Sequence, residues 1–455
     1  MPPSPPPAPP RLGLRAGVPG SIGAGVEDLA GRPVVVARSD ASVRRGALTA
    51  DDGPTLAAAA GLALASQLPL VAVLSTSGAA VGDGIDALHS WGTAARALAA
   101  CSGIVPIAMA VVGPALSGPA LLLGMADVVV MTADAFAFVC GPGMVTQFTG
   151  VQVTIGDLGG AAVHARRTGL AALEAAGAGH ALELIGQVLS YLPANADEEP
   201  PLSPATDPPT RPTPELRGLL PSSGRGSYDV RDAAAALADH GEMLELRAAW
   251  APQLVTALAR IGGRPVGIVA NQPQTLAGTL DIAASQKGAR FVGFCDAFNL
   301  PIVTLVDTPG FLPGKDLEWR GMIRHGAELV FAYARATVPR ICVILRKAYG
   351  GAYIVMDSRG MGSDLCLAWP SAEVAVMGAE GAVQILHRGD DAESRGRREE
   401  HYRRDYLTPW VAADRGLVDA VIDPEETRAE VAAGLATLAA KRERLIPRKH
   451  DNGPL

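Results

Sequence analysis

A chain that repeats itself has to fold the same way twice, and this one repeats at a nearly fixed interval. "GRPVVVA" begins at Gly31 and "GRPVGIVA" at Gly263, 232 positions on. "LPLVAVLSTSG" begins at Leu68 and "LPIVTLVDTPG" at Leu300, again 232 positions on. "VPIAMAVVGPALSGPA" from Val105 matches "VPRICVILRKAYGGAY" from Val338 at an offset of 233. "ADVVVMTADAFAFVCGP" matches "SDLCLAWPSAEVAVMGA" at 237, which pairs Asp127 with Asp364. Four blocks in one order define two homologous halves. Between them, about residues 193–229 are rich in proline and acidic residues and poor in helix and strand formers, as in a surface linker. The expected organisation is a disordered proline-rich tail over 1–20, a first domain over 21–195, a linker over 196–228 and a second domain over 229–455.

Within each half the same order recurs. A strand ("PVVVA", "PVGIVA") leads to a helix, then to a short apolar strand ("LPLVAVL", "LPIVTLV") that ends in a glycine turn. A second helix leads to a third strand ("PIAMAVV", "RICVIL"), a small-residue loop, an apolar helix and two more strands. Apolar strands alternating with helices predict an α/β fold whose strands are covered on both faces.

Composition narrows the function. Of 455 residues, 48% are hydrophobic and 19% charged, which suits a large core. A net charge of −7 gives no general pull toward nucleic acid or an anionic membrane. The five cysteines stand singly, without a CxxC pair, so no metal is expected and buried reduced thiols in the cytoplasm are. The tail "MPPSPPPAPPRLG" lacks the apolar core of a secretory signal, and the most apolar segments are interrupted by Gly, Pro or Ser rather than long enough to span a membrane.

Ligands in such folds gather at the carboxyl ends of the strands. Glycine turns fall there at 75–84, 113–120 and 140–144, and again at 307–316, 347–353 and 377–383. Gly350, Gly351 and Ala352 in "RKAYGGAYIVM" bring no reactive side chain. Small residues that open a helix can turn backbone N–H groups toward a developing oxyanion, or can simply permit close packing. Their counterparts at 233 are Ser117, Gly118 and Pro119, and Pro119 has no N–H to give. Two such loops suit a reaction with two carbonyl-type centres. Side-chain candidates are blander. His164 reads as structural or cleft-lining, the pair His325 and Glu328 as a solvated or inter-subunit contact rather than a metal site, Asp307 and Asp316 as turn residues, and Arg346 and Lys347 as phosphate contacts or ion-pair members.

The stretch "VDTPGFLPGKDLEWRGMIRHGAELVFAYARATVPRICVILRKAYGGAYIVM" resembles the carboxyltransferase (β) subunits of biotin-dependent acyl-CoA carboxylases, as do "LAWPSAEVAVMGAEGAVQIL" and "PRKHDNGPL". The similarity covers about residues 30–450 and is stronger in the second half. It implies two tandem crotonase-like domains, which fits the duplication. It also implies transfer of a carboxyl group from N-carboxybiotin, held on a partner carrier protein, to the α-carbon of a short acyl-CoA through an enolate. By this resemblance Gly351 and Ala352 form one oxyanion hole and Ser117 and Gly118 the other. Gly78, Ala79, Gly350, Tyr353, Gly378 and Ala379 would line the biotin and CoA cleft. Ile354 occupies a position that influences acyl preference, where isoleucine accompanies acceptance of acetyl-CoA as well as propionyl-CoA; it could equally be a core residue of its helix. The family's Ser-Gly-Gly-Ala-Arg run reads Ser77, Gly78, Ala79, Ala80, Val81 here, without the arginine. The implied partners are a biotin carboxylase and carrier subunit and further copies of the chain in a hexamer. Two other readings remain: a subunit that decarboxylates malonyl- or methylmalonyl-CoA, and a non-catalytic scaffold.

Overall fold

A computed structural model describes residues 20–221, 223, 226–441 and 443–454, so the expected tail lies outside the described residues except for Gly20. The chain divides into two compact units, one ending at Glu199 and one beginning at Pro200.

The first unit is built on a seven-stranded sheet. Its strands are β1 (Ile22–Leu29), β2 (Arg32–Ser39), β3 (Leu70–Thr76), β4 (Ile107–Leu116), β5 (Val128–Thr132), β6 (Phe136–Phe138) and β7 (Leu173–Ala175). The order is β1-β2-β3-β4-β5-β7, with β6 pairing the far end of β4. All neighbours run parallel except the β1–β2 hairpin. Helices α1 (Asp52–Ser66) and α2 (Ile85–Cys101) supply the crossovers. Every residue of β3 is buried, as a parallel strand covered on both faces requires. The α1 alanines Ala59, Ala60 and Ala63 pack flat against Val35, Ala37 and Ala72 in one apolar core.

The second unit repeats this order and adds a strand. Its strands are β8 (Met243–Glu245), β9 (Leu254–Ile261), β10 (Arg264–Asn271), β11 (Ile302–Thr308), β12 (Arg340–Tyr349), β13 (Leu365–Ala368), β14 (Glu373–Ala375) and β15 (Ala420–Val421). The order is β15-β13-β12-β11-β10-β9-β8, with β14 on the far end of β12. Its crossover helices are α3 (Ile282–Ala297), whose Asp281 side chain caps Ala284 N at 2.8 Å, and α4 (Met322–Arg335). β11 is buried throughout, like β3.

Two features depart from the sequence reading. Strands β1 and β9 precede the strand with which each half was expected to open, and β1 is not apparent in the apolar pattern; "IGAGVEDL" carries two glycines and two acidic residues. Each is held by a two-residue hairpin instead, Ala30-Gly31 (φ 54 and 79) and Gly262-Gly263 (φ 59 and 77), the left-handed pair that a tight hairpin demands. The expected linker, in turn, is not detached. Among its described residues the one helical turn is Pro214–Gly218, but Asp207, Thr213 and Leu216 are buried in the second unit, and Thr213 N donates to Glu425 O at 2.9 Å. The fully buried Arg428 fastens it, donating to the carbonyls of Asp207, Pro208 and Leu237 and to the Asp239 carboxylate at 2.7 Å.

Candidate active site

The turns after the second and third parallel strands of each unit meet. In the first unit the β3–β4 register shifts between Leu74 and Thr76, so β3 splays into its turn. Gly78 (φ 101) donates to Thr76 Oγ1 at 3.1 Å and accepts Leu48 N at 2.8 Å, while Ala80 N donates to Leu48 O at 2.8 Å. These bonds hold Ala79 in an isolated parallel bridge with Leu48. A residue bridged this way turns its own N–H to the opposite side. On that side lies the turn after β4, where Ser117 Cβ would stand 3.2 Å from a Cβ added to Gly78. Gly118 opens the short 3-10 helix Gly118–Met125, so its amide has no acceptor within the helix. Ala79 and Gly118 thus frame one cradle, and both keep partial solvent access. Glycine is needed at 118 because the Trp91 ring lies against it: an added Cβ would meet Cζ2 at 3.0 Å.

The second unit builds the same cradle 232 or 233 residues on. The β11–β12 register shifts between Val306 and Thr308. Gly310 N donates to Thr308 Oγ1 at 3.4 Å, Gly310 O accepts Leu280 N at 3.2 Å, and Leu312 N donates to Leu280 O at 2.8 Å. Phe311 is the bridged residue, paired with Leu280. Beyond it the helix α5 (Gly350–Val355) begins, with Gly351 facing the Phe311 ring. Gly351 and Ile354, one turn apart, are exposed on the same face of α5; Ala352, Tyr353 and Val355 are buried.

These geometries revise the expected residue set. The Ser117 amide is not available as a donor, because it already donates to Phe138 O at 3.0 Å and so ties β6 to β4. Ala352 has no exposed surface, since α5 turns it into the core. Gly118 and Gly351 lie in the first turns of their helices, and the bridges to Leu48 and Leu280 turn the amides of Ala79 and Phe311 the other way. Phe311 was missed by sequence reasoning, although the 232 offset from Ala79 marks it. Tyr353, expected in the cleft, is buried, and burial pushes its phenol pKa up. Gly350, Gly378 and Ala379 fall at strand ends as expected. Gly378 and Ala379 line a cavity of about 530 Å³ with Lys347, Tyr349, Glu373 and Arg403.

The side-chain candidates are committed elsewhere. Asp307 is buried, accepting Arg346 Nε at 3.0 Å and Lys347 N at 3.1 Å; burial raises its carboxyl pKa while the guanidinium pulls it back. Arg346 also donates to Gly226 O at 2.8 Å and stacks over the Tyr228 ring, which makes it the ion-pair member of the two readings. His164 has Nε2 on Ala137 O at 2.8 Å and Nδ1 on Thr168 Oγ1 at 2.9 Å. His325 Nδ1 meets Glu328 at 2.7 Å and Gln286 at 3.1 Å, between α4 and α3. Four cysteines are buried; Cys140 is exposed. Among the described residues no helix is long and apolar enough to cross a membrane.

Both units are α/β sheets of mainly parallel strands with glycine turns at the strand ends. The chain belongs to the carboxyl transferase family, whose domain model matches residues 12–453. It is 43% identical over 431 residues to the methylmalonyl-CoA carboxyltransferase 12S subunit of Propionibacterium freudenreichii subsp. shermanii, covering 93% of this chain and 82% of that one. It is 41% identical to the propionyl-CoA carboxylase beta chain of Roseobacter denitrificans, over 93% of this chain and 84% of that one. The methylmalonyl-CoA decarboxylase subunit alpha of Veillonella parvula is also 41% identical, with 93% and 83% covered. A structure of transcarboxylase 12S with methylmalonyl-coenzyme A and methylmalonic acid bound, described as a hexamer assembly, superposes with a TM-score of 0.94 at 42% identity, over 96% of this chain and 85% of that one.

Proposed function

We propose that the chain is the carboxyltransferase subunit of a biotin-dependent acyl-CoA carboxylase, built as two crotonase-like domains descended from one. The observation that carries this reading is the matched pair of cradles, one per unit, each pairing the outward amide of a bridged residue with an amide in the first turn of the helix that follows the next strand. Moving a carboxyl group from a biotin ureido nitrogen to the α-carbon of a thioester develops negative charge on two oxygens. The Ala79 and Gly118 amides stabilise it on the thioester oxygen, and the Phe311 and Gly351 amides on the ureido oxygen. Donors fixed before reaction cost no reorganisation and act most strongly on the charged state. The donor set fits both groups, since each presents a carbonyl oxygen and neither cradle needs a metal. Biotin, tethered to a partner carrier protein, supplies the carboxyl group and then the base for the α-proton. That fits the commitment of Asp307, His164 and His325 to structural bonds.

Ile354, exposed one turn beyond Gly351, shapes the acyl pocket and admits acetyl- and propionyl-CoA. The partners are a biotin carboxylase and its carrier, and the assembly is a cytoplasmic hexamer. Relatives named for carboxylation, transcarboxylation and decarboxylation stand at 41–43% identity, and the same cradles serve transfer in either direction. The test is a panel of acyl-CoAs incubated with labelled bicarbonate, ATP and the cognate carboxylase–carrier subunit. Label fixed into acetyl- or propionyl-CoA supports the reading; none in any acyl-CoA, with a competent partner, sinks it. Ile354→Asp is expected to shift preference toward propionyl-CoA; an unchanged preference removes Ile354 from the pocket.

A further inference from the structure

The turn after β4 holds a side chain that its counterpart does without. Ser117 has φ 63 and ψ −153, a combination that glycine adopts freely and other residues only under strain. The equivalent residue in the second unit is Gly350, with φ 59. The hydrogen bonds that hold the turn do not use the serine side chain. The Ser117 amide donates to Phe138 O, and its carbonyl accepts Ala120 N, both at 3.0 Å. Glycine would keep both bonds and relieve the strain. The residue is exposed, and its Cβ stands close against Gly78, between the two loops whose Ala79 and Gly118 amides frame the first cradle.

A strained, exposed serine at the mouth of an oxyanion cradle is explained if its hydroxyl acts there. Resting on the carboxyltransferase reading, we propose that Ser117 Oγ–H is a third donor of the first cradle, bonding the thioester oxygen beside Ala79 and Gly118. No proton is transferred. The hydroxyl keeps its hydrogen, and the bond strengthens as the oxygen gains charge in the enolate. The contribution therefore falls on kcat more than on KM.

The experiment compares the full chain with Ser117→Ala, which keeps Cβ and strain but loses the hydroxyl, and Ser117→Gly, which loses all three. Transfer of the carboxyl group from malonyl-CoA to free biotin is measured, with the infrared carbonyl band of bound [1-13C]acetyl-CoA. Both variants should lose on the order of 10²-fold in kcat with little change in KM. Their bound carbonyl band should move to higher wavenumber than in the unmodified chain. Ser117→Gly alone should gain a few degrees in Tm. Unchanged kcat and an unchanged band in Ser117→Ala overturn the inference and leave the proposed function standing. A chain that neither binds acetyl-CoA nor transfers to biotin overturns both.

Discussion

In the first unit the Asp127 carboxylate accepts the amide of Ile107, at the head of β4, at 2.9 Å; in the second, Asp364 accepts that of Arg340, at the head of β12, at 2.8 Å. The frames agree to this level. Both have a register shift at the end of the second parallel strand, an isolated bridge beside it, and a threonine that catches the turn glycine. The cradles differ within that frame. Gly118 lies against the indole of Trp91, Gly351 against the ring of Phe311; Ser117 answers Gly350, and Pro119 answers Ala352. Pro119 and its counterpart Ala352 are both buried.

The comparison breaks most severely at the joint, which from Pro200 onward belongs to the second unit. Arg428→Met takes the guanidinium from the carbonyls of Asp207, Pro208 and Leu237 and from the Asp239 carboxylate, which keeps only the amides of Gly262 and Gly263, and should cost about 3–5 kcal/mol in chemical denaturation. A loss under 1 kcal/mol would mean the joint is not fastened there.

Next in size is the same substitution made in both cradles. Gly118→Ala drives a Cβ to 3.0 Å from the rigid Trp91 ring and should lower kcat by about 10²–10³-fold as the amide is displaced. Gly351→Ala meets Phe311 at an ordinary 3.6 Å and should change kcat by no more than about threefold, well short of the loss of a donor. Equal effects would show that the ring behind each glycine does not position it.

Gly350→Ala forces a left-handed alanine with its Cβ 3.1 Å from Val376 O, and a loss of about 1–3 kcal/mol is expected from thermal melting. The smallest effect is a pH dependence confined to the second unit. The Arg211 hydrogen bond, then the amide of His240 and the nearby Arg428, hold the Asp207 pKa down to about 2 against burial, which raises it. The unfolded carboxyl titrates near 4, so the unfolded chain binds the extra proton. Stability from Asp207 is complete above about pH 4 and is lost as pH falls toward 2. Asp207→Asn should flatten the stability curve in that window; an unchanged slope would mean the carboxylate is not held.

The parallel strands, their helices and the glycines Gly118 and Gly351 were legible because duplication repeats them at a constant offset. β1 was not, since hairpin pairing holds it without an apolar run. The availability of each amide was also hidden. Ser117 N–H is spent on Phe138 O, a bond that depends on where β6 docks, and no local pattern reports it. Phe311 was legible in principle, through its offset from Ala79, but an aromatic residue in a proline-rich turn gives no sign that its backbone is the useful part.

By itself the sequence determined that there are two equivalent units, that their cores are α/β, and that small-residue turns close the third strand in each. Repetition and apolar periodicity are local properties that the order of residues carries in full. Only the tertiary structure decided which amides face the cradle, because an N–H is committed or free according to the strand or loop beside it. The same contacts decided that Tyr353 and Ala352 turn inward while Ile354 turns out, and that the proline-rich joint belongs to the second unit.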